Sequence, residues 1–248
     1  MRIRQHTDLA GLRAAGQAVA QTLVAMGEAL EPGLSTAELD ALGARLLAGF
    51  GACSAPQRDY RFPGTTCISI NEEAAHGIPG PRCLAPGDIV NIDVSAELDG
   101  YYGDTGATFI VPPANPLHER LLAATEEALR AALAVARADA PLNEIGRAIE
   151  TTAKAAGFTT LRDLGSHGVG RRLHEAPRFI ANFYDPSDRR RLAEGLVITI
   201  EPFLSLGSEG CTTAADGWTL LSGEGNRSAQ FEHTLVIRAD GPELMTLP

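Results

Sequence analysis

The sequence predicts an α+β fold in which an antiparallel sheet is covered by two pseudo-symmetric helix pairs. Three observations carry that expectation. Helical patterning comes in pairs, strand patterning follows each pair, and the two pairs keep a constant spacing. Leu34, Ser35, Gly49 and Phe50 correspond to Leu142, Asn143, Gly157 and Phe158, each 108 positions further on. No Pro/Gly/Ser-rich linker divides the chain. The expectation is therefore one domain over residues 1–248, built from halves of about 1–113 and 114–248.

The first helix is expected over about Asp8–Leu30 and the second over Ser35–Gly49. Ser35-Thr36-Ala37-Glu38 reads as a capping box, in which Ser and Glu satisfy free amides of the first turn. Gly49 supplies the usual glycine stop. TCISI and then NIDVSAELDGYYGDTGATFIV follow as strands, the second segment folding at Asp99-Gly100 into a hairpin. A second long helix pair is expected over about Leu117–Ala138 and from Asn143 to Gly157, followed by strands in LVITIEPFL and SAQFEHTLVIR.

Composition narrows the function classes. The chain has 248 residues, 44% hydrophobic and 21% charged, enough for a substantial core. Its formal net charge of −10 argues against a nucleic-acid surface, which relies on clustered Lys and Arg. The short run Arg189–Arg191 reads as a solvated helix face. The stretch MRIRQHTDLAGLR has no apolar core like that of a signal peptide, and runs such as LVITI are too short to span a bilayer. Cys53, Cys67, Cys83 and Cys211 form no CxxC pair, so the expectation is a reduced, cytoplasmic protein without a membrane partner.

Two aspartates stand out because they sit in strands, where Asp is a poor former and a half-buried carboxylate needs a partner. With a two-residue turn at Asp99-Gly100, Leu98 pairs with Tyr101 and Ser95 faces Asp104. Asp93 then shares a face with Ser95 and lies diagonal to Asp104, unless a bulge shifts the register. The second half adds Glu201 at a strand end, Glu232 within SAQFEHTLVI, His167 in LGSHGVG and His174 in RRLHEAP. Taken singly, a strand carboxylate is more often a hydrogen-bonded edge residue, and a lone His more often a satisfied structural one. Together, four carboxylates and an imidazole suit Mn, Fe, Co or Zn, and two divalent ions would balance four negative charges.

Competing motifs fail on inspection. His174-Glu175-Ala176-Pro177-Arg178 is not HExxH, because Arg holds the fifth place and Pro breaks the helix that motif needs. Gly165–Gly170 is not GxGxxG, since its third residue is His167. No GxSxG elbow or Walker loop is present.

The ordered motifs CISINEEAAHGIPG, NIDVSAELDGYYGDTGATF, SHGVGRRLHEAP, TIEP and GWTL…SAQFEHTLVI resemble those of type I methionine aminopeptidases, over nearly the whole chain. The resemblance implies the pita-bread fold, whose two-fold repeat suits the paired helices. It implies that Asp93, Asp104, His167, Glu201 and Glu232 bind two divalent metal ions, with Asp104 and Glu232 bridging. It implies that His76 and His174 are catalytic imidazoles outside the metal shell, and that Glu201 moves the proton from attacking water to leaving amine. Phe62, Cys67, His76, Leu173, His174 and Trp218 would line the methionine pocket. The implied substrates are peptides and nascent chains bearing N-terminal methionine before a small residue, met at the ribosome by a monomer. A neutral α-amine, bound near Asp93, would make the activity an exopeptidase.

Two positions depart from the family pattern. Ser166 replaces a glycine before His167, and Leu173 replaces an aromatic before His174. Only the 26 residues 175–200 separate His174 from Glu201, leaving no room for the insertion of type II enzymes. The rival expectations are a Xaa-Pro peptidase on the same fold, which usually carries an additional N-terminal domain, and a non-catalytic pita-bread module, which loses metal ligands.

Overall fold

The computed structural model describes residues 1–248. Helix α1 (His6–Glu28) begins two residues earlier than expected because Gln5 and Asp8 cap it reciprocally. The Asp8 carboxylate accepts the Arg4 and Gln5 amides at 3.0 and 3.2 Å. Helix α2 (Thr36–Gly49) has the expected capping box, with the Glu38 amide donating to Ser35 Oγ at 3.2 Å. Gly49 is the last residue of the helix, and the left-handed turn falls at Gly51 (φ 74°). An unanticipated short helix, α3 (Ala55–Tyr60), starts where Ser54 Oγ accepts the Gln57 amide at 3.3 Å and Pro56 occupies the first turn.

The second pair comprises α4 (Pro116–Val135) and α5 (Asn143–Ala156), the latter stopped by left-handed Gly157 (φ 84°) as expected. Helix α4 stops short of Ala138, whose amide instead donates to Arg238 O at 2.9 Å while that of Asp139 donates to Leu192 O at 2.8 Å. The basic run Arg189–Arg191 is not helical, a correction to the expectation. It runs beside the segment that leads into α5, with Arg190 O accepting the Leu142 amide (2.9 Å) and the Arg190 guanidinium paired with Asp188.

In the first half, β1 (Cys67–Ile70) pairs antiparallel with β2 (Ile89–Leu98), which turns into β3 (Tyr101–Ile110). Asp99 and Gly100 both have positive φ (51° and 81°), the geometry of a tight hairpin turn that follows strand twist. The register is the expected one without a bulge: Leu98 opposes Tyr101 and Ser95 opposes Asp104.

In the second half, β4 (Gly165–Gly168) lies between β5 (Glu175–Ala181) and β6 (Val197–Ile200). After Pro202 the chain resumes as β7 (Phe203–Ser205), which pairs with β8 (Ser228–Gln230). Beyond Glu232, β9 (His233–Val236) pairs with β6. The expected single sheet is thus broken into four hydrogen-bonded sheets. Glu232, expected within a strand, lies in the break between β8 and β9.

Alternation decides which face carries chemistry. Val90, Ile92, Val94 and Ala96 pack with Val19, Met26 and Leu39 of the first helix pair, while Ile198, Ile200 and Leu235 pack with Leu121, Ile145 and Ile149 of the second. Asp93 and Ser95 therefore face away from the helices.

Candidate active site

The face turned from the helices floors a cavity of about 320 Å³ lined by residues of both halves. A wider groove of about 580 Å³ beside Leu30 and Arg45 contains no imidazole or thiol. The cavity floor gathers all five expected metal ligands. Asp104, His167, Glu201 and Glu232 are buried, while Asp93 retains partial exposure. One donor atom each from Asp104, His167 and Glu232 lies within 4.8 Å of the others. His167 Nε2 is 3.5 Å from Asp104 Oδ2 and 3.4 Å from Glu201 Oε1.

His167, Glu201 and Glu232 are held by hydrogen bonds of their own half, and the backbone ties the halves across the seam. His167 Nδ1 lies 3.0 Å from Gly168 O, and since a carbonyl only accepts, Nδ1 carries the proton and Nε2 offers its lone pair. The His167 amide donates to Thr199 Oγ1, and that hydroxyl donates to Glu201 Oε1 at 2.8 Å. Gln230 Nε2 donates to Glu232 Oε2 at 3.0 Å, and Gln230 Oε1 accepts from Asn91 Nδ2 at 2.8 Å. The halves are stitched by Glu232 N–H donating to Gly106 O (2.9 Å), Thr105 Oγ1 donating to Glu232 O (2.8 Å) and Thr234 Oγ1 donating to Asp104 O (2.8 Å).

This set fits divalent cations. Asp104 Oδ1 and Glu232 Oε1 are buried without a hydrogen-bond partner, and the bare His167 Nε2 faces two carboxylate oxygens, acceptor against acceptor. A cation removes that mismatch, whereas apolar or anionic occupants do not. Without metal the carboxyls must hold protons. Burial pushes Asp104 up to about 7, and burial reinforced by the Asp104 charge raises Asp93, Glu201 and Glu232 well above the carboxylate range. Burial lowers His167 to about 4.

The cavity walls hold the other expected residues. Phe62 and Trp218 meet edge to face, ring centroids 5.3 Å apart. Cys67 opposes Asp93 in the β1–β2 ladder, and its thiol is raised by burial and then by the Asp93 charge. Leu173 is buried against Tyr102 and Val236 and turns one side to the cavity. His76, at a strained positive φ of 56°, and His174 both keep solvent contact. The His174 ring stacks 4.1 Å from that of His167, and burial followed by the neighbouring imidazoles lowers it to about 3, leaving it neutral.

Ser166, the departure in the His167 strand, is fully buried, and its Oγ accepts the Glu201 amide at 2.9 Å. The hydroxyl thus ties β4 to the end of β6. Sequence reasoning did not find the supporting residues Thr199, Gln230 and Thr234. Their only local signal is polarity within apolar strands. Tyr60, which also lines the cavity, was missed because nothing marked α3 as part of a site.

Residues 10–239 match the Metallopeptidase family M24. The chain is 43% identical over 247 residues to the protein named methionine aminopeptidase 2 of Bacillus subtilis, with 99% of both chains covered. Its fold superposes on a methionine aminopeptidase from Thermotoga maritima with a TM-score of 0.96 at 32% identity. It superposes on one from Rickettsia prowazekii with a TM-score of 0.94 at 36% identity. Both comparisons cover 100% of each chain, and they bear out the expected α+β pita-bread fold.

Proposed function

The chain belongs to metallopeptidase family M24, and we propose that it removes N-terminal methionine from peptides and nascent proteins, preferentially before a small second residue. The observation that carries this reading is the pair of orphaned buried oxygens, Asp104 Oδ1 and Glu232 Oε1, beneath an apolar pocket. Asp93, Asp104, His167, Glu201 and Glu232 would hold two divalent ions. When bound, such ions supply Lewis acidity towards the scissile carbonyl and acidify the attacking water.

The protein's own groups do the rest. Glu201 takes the proton of the attacking water and returns it to the departing amine, and the Thr199 hydroxyl keeps its Oε1 in place. His174, neutral, donates a hydrogen bond to the carbonyl oxygen as negative charge grows there, a contact worth most in the transition state. His76 contacts the leaving nitrogen. Phe62, Cys67, Leu173 and Trp218 enclose the methionine side chain, an apolar lining suited to a flexible thioether.

The test uses metal-stripped protein resupplied separately with Mn, Co, Fe and Zn. Free methionine should be released from Met-Ala peptides only after metal is restored, and N-acetylated Met-Ala should stay intact. Cleavage of Xaa-Pro peptides in preference to Met-Ala would favour the Xaa-Pro reading. No release with any cation would leave the non-catalytic module.

A further inference from the structure

Tyr60 ends helix α3 at the cavity rim, and its hydroxyl lies 2.8 Å from His174 Nδ1. The two rings meet edge to face, centroids 5.4 Å apart at 71°. This is the only hydrogen bond that the His174 ring makes to the protein. The carboxylate of Asp59, next to Tyr60 in the chain, holds the segment that leads into His174. Asp59 Oδ2 accepts the Leu173 amide at 3.3 Å, one residue before His174, and Asp59 Oδ1 accepts the Tyr102 hydroxyl at 2.9 Å. Arg58 pairs with Glu97 of β2, and the chain leaves α3 through left-handed Arg61 (φ 60°). The end of α3 is thereby fixed on both sides of Tyr60.

A neutral imidazole carries one N–H and one lone pair, and the partner of one nitrogen decides what the other offers. If Nδ1 held the proton, Tyr60 would accept it and Nε2 would present a lone pair to the cavity. A lone pair repels a carbonyl oxygen gaining negative charge. If Tyr60 donates, Nε2 carries the proton and faces the cavity as a donor.

We propose that Tyr60 is the positioning residue of His174: its O–H donates to Nδ1 and locks the Nε2–H tautomer. This rests on the carbonyl-binding role given to His174 above. Tyr60 moves no proton in the reaction and changes no metal ligand. It sets the direction of one hydrogen bond.

The test combines kinetics with ring-nitrogen NMR on the full-length protein. Tyr60→Phe keeps the aromatic edge and removes the hydroxyl. It should lower kcat for a Met-Ala peptide by about tenfold to a hundredfold, a fraction of what deleting an oxyanion donor costs. KM and Mn stoichiometry should stay within about twofold of the unmutated protein, because neither pocket nor ligands change. In a His174→Ala background the same substitution should cost nothing further. In ¹⁵N-histidine-labelled metal-free protein, His174 should show a protonated Nε2 and a bare Nδ1, and a mixture of tautomers in Tyr60→Phe.

Wild-type kcat in Tyr60→Phe overturns the proposal. So does a proton on Nδ1 in the unmutated protein. A loss that persists without His174 would make Tyr60 a direct substrate contact instead. If the unmutated protein cleaves no Met peptide, the functional reading fails, while the NMR arm still decides the tautomer.

Discussion

The two halves of the molecule build the same helix pair and then treat their strands differently. In the first half, β2 and β3 run ten residues each in unbroken register. In the second, the equivalent strands are interrupted, at Glu201-Pro202 between β6 and β7 and at Phe231-Glu232 between β8 and β9. One pair corresponds nonetheless. Asp93 and Glu201 stand 108 positions apart, the offset that relates the helix pairs. Proline at 202 has no N–H to give a ladder, so the strand must end there. Freed from its own hairpin, Glu232 donates its amide to Gly106 of the other half. The difference teaches how a repeat becomes a site: the regular half supplies a rigid floor, and the broken half bends its carboxylates over it.

The sharpest way to break the comparison is at Glu201, the acid in the irregular half. Glu201→Gln would remove the proposed proton carrier and weaken a proposed metal ligand. It should lower kcat by about 10²- to 10⁴-fold in a folded protein. Near wild-type turnover with full metal content would return Glu201 to a merely structural role, like any other edge carboxylate.

Removing metal should expose the opposition between the halves. Asp104 rises from its ordinary 3.8 to about 7 in the metal-free protein, and Asp93, Glu201 and Glu232 shift the same way. Their folded values exceed the unfolded ones, so their contribution is full below about 4 and is lost as pH rises through the folded values, about 7 for Asp104. His167, lowered from 6.5 to about 4, His174, lowered to about 3, and His76, lowered by burial, act in the opposite sense, their contribution being lost as pH falls below 6.5. Four carboxyls outweigh three imidazoles. Metal-stripped protein should therefore melt at higher temperature at pH 5 than at pH 8, and Mn or Co should remove the difference. Equal or rising Tm from pH 5 to 8 without metal would mean the carboxylates do not repel one another.

A smaller effect tests the seam. A Cβ on Gly106 would collide with the side-chain amide of Gln230, pushing the residue that holds Glu232. Gly106→Ala should destabilise the protein by about 1–3 kcal/mol, read from the denaturant midpoint, with weakened metal binding alongside. An unchanged midpoint would show that the seam yields freely.

The smallest expected effect concerns Leu173, on the second-half wall of the pocket. A methylene in an apolar pocket is worth only about 1–3 kcal/mol, so norleucine-Ala should be cleaved within about tenfold of Met-Ala. Leu173→Phe should tighten selection against Leu and Phe at the first position, read as kcat/KM ratios. Identical ratios in both proteins would place Leu173 wholly with its core neighbours Tyr102 and Val236.

Much of this was legible in the sequence. The hairpin register followed from Asp99-Gly100, because a two-residue turn fixes which residues oppose each other. The capping box at Ser35 and Glu38 is local chemistry, and it formed as written. The ordered motifs named the five proposed ligands and the imidazoles of His76 and His174, and all of them line one cavity. By itself the sequence determined elements whose causes lie within a few residues, together with the identity of the groups that had to converge. Only the tertiary structure decided where the second-half strands break, that Glu232 bonds across to Gly106, that Ser166 caps the Glu201 amide, and that Tyr60 meets His174 from 114 positions away. Those contacts join segments distant in the chain. Their partners are chosen by packing and by the need to satisfy buried polar groups, and neither leaves a periodic mark on the sequence.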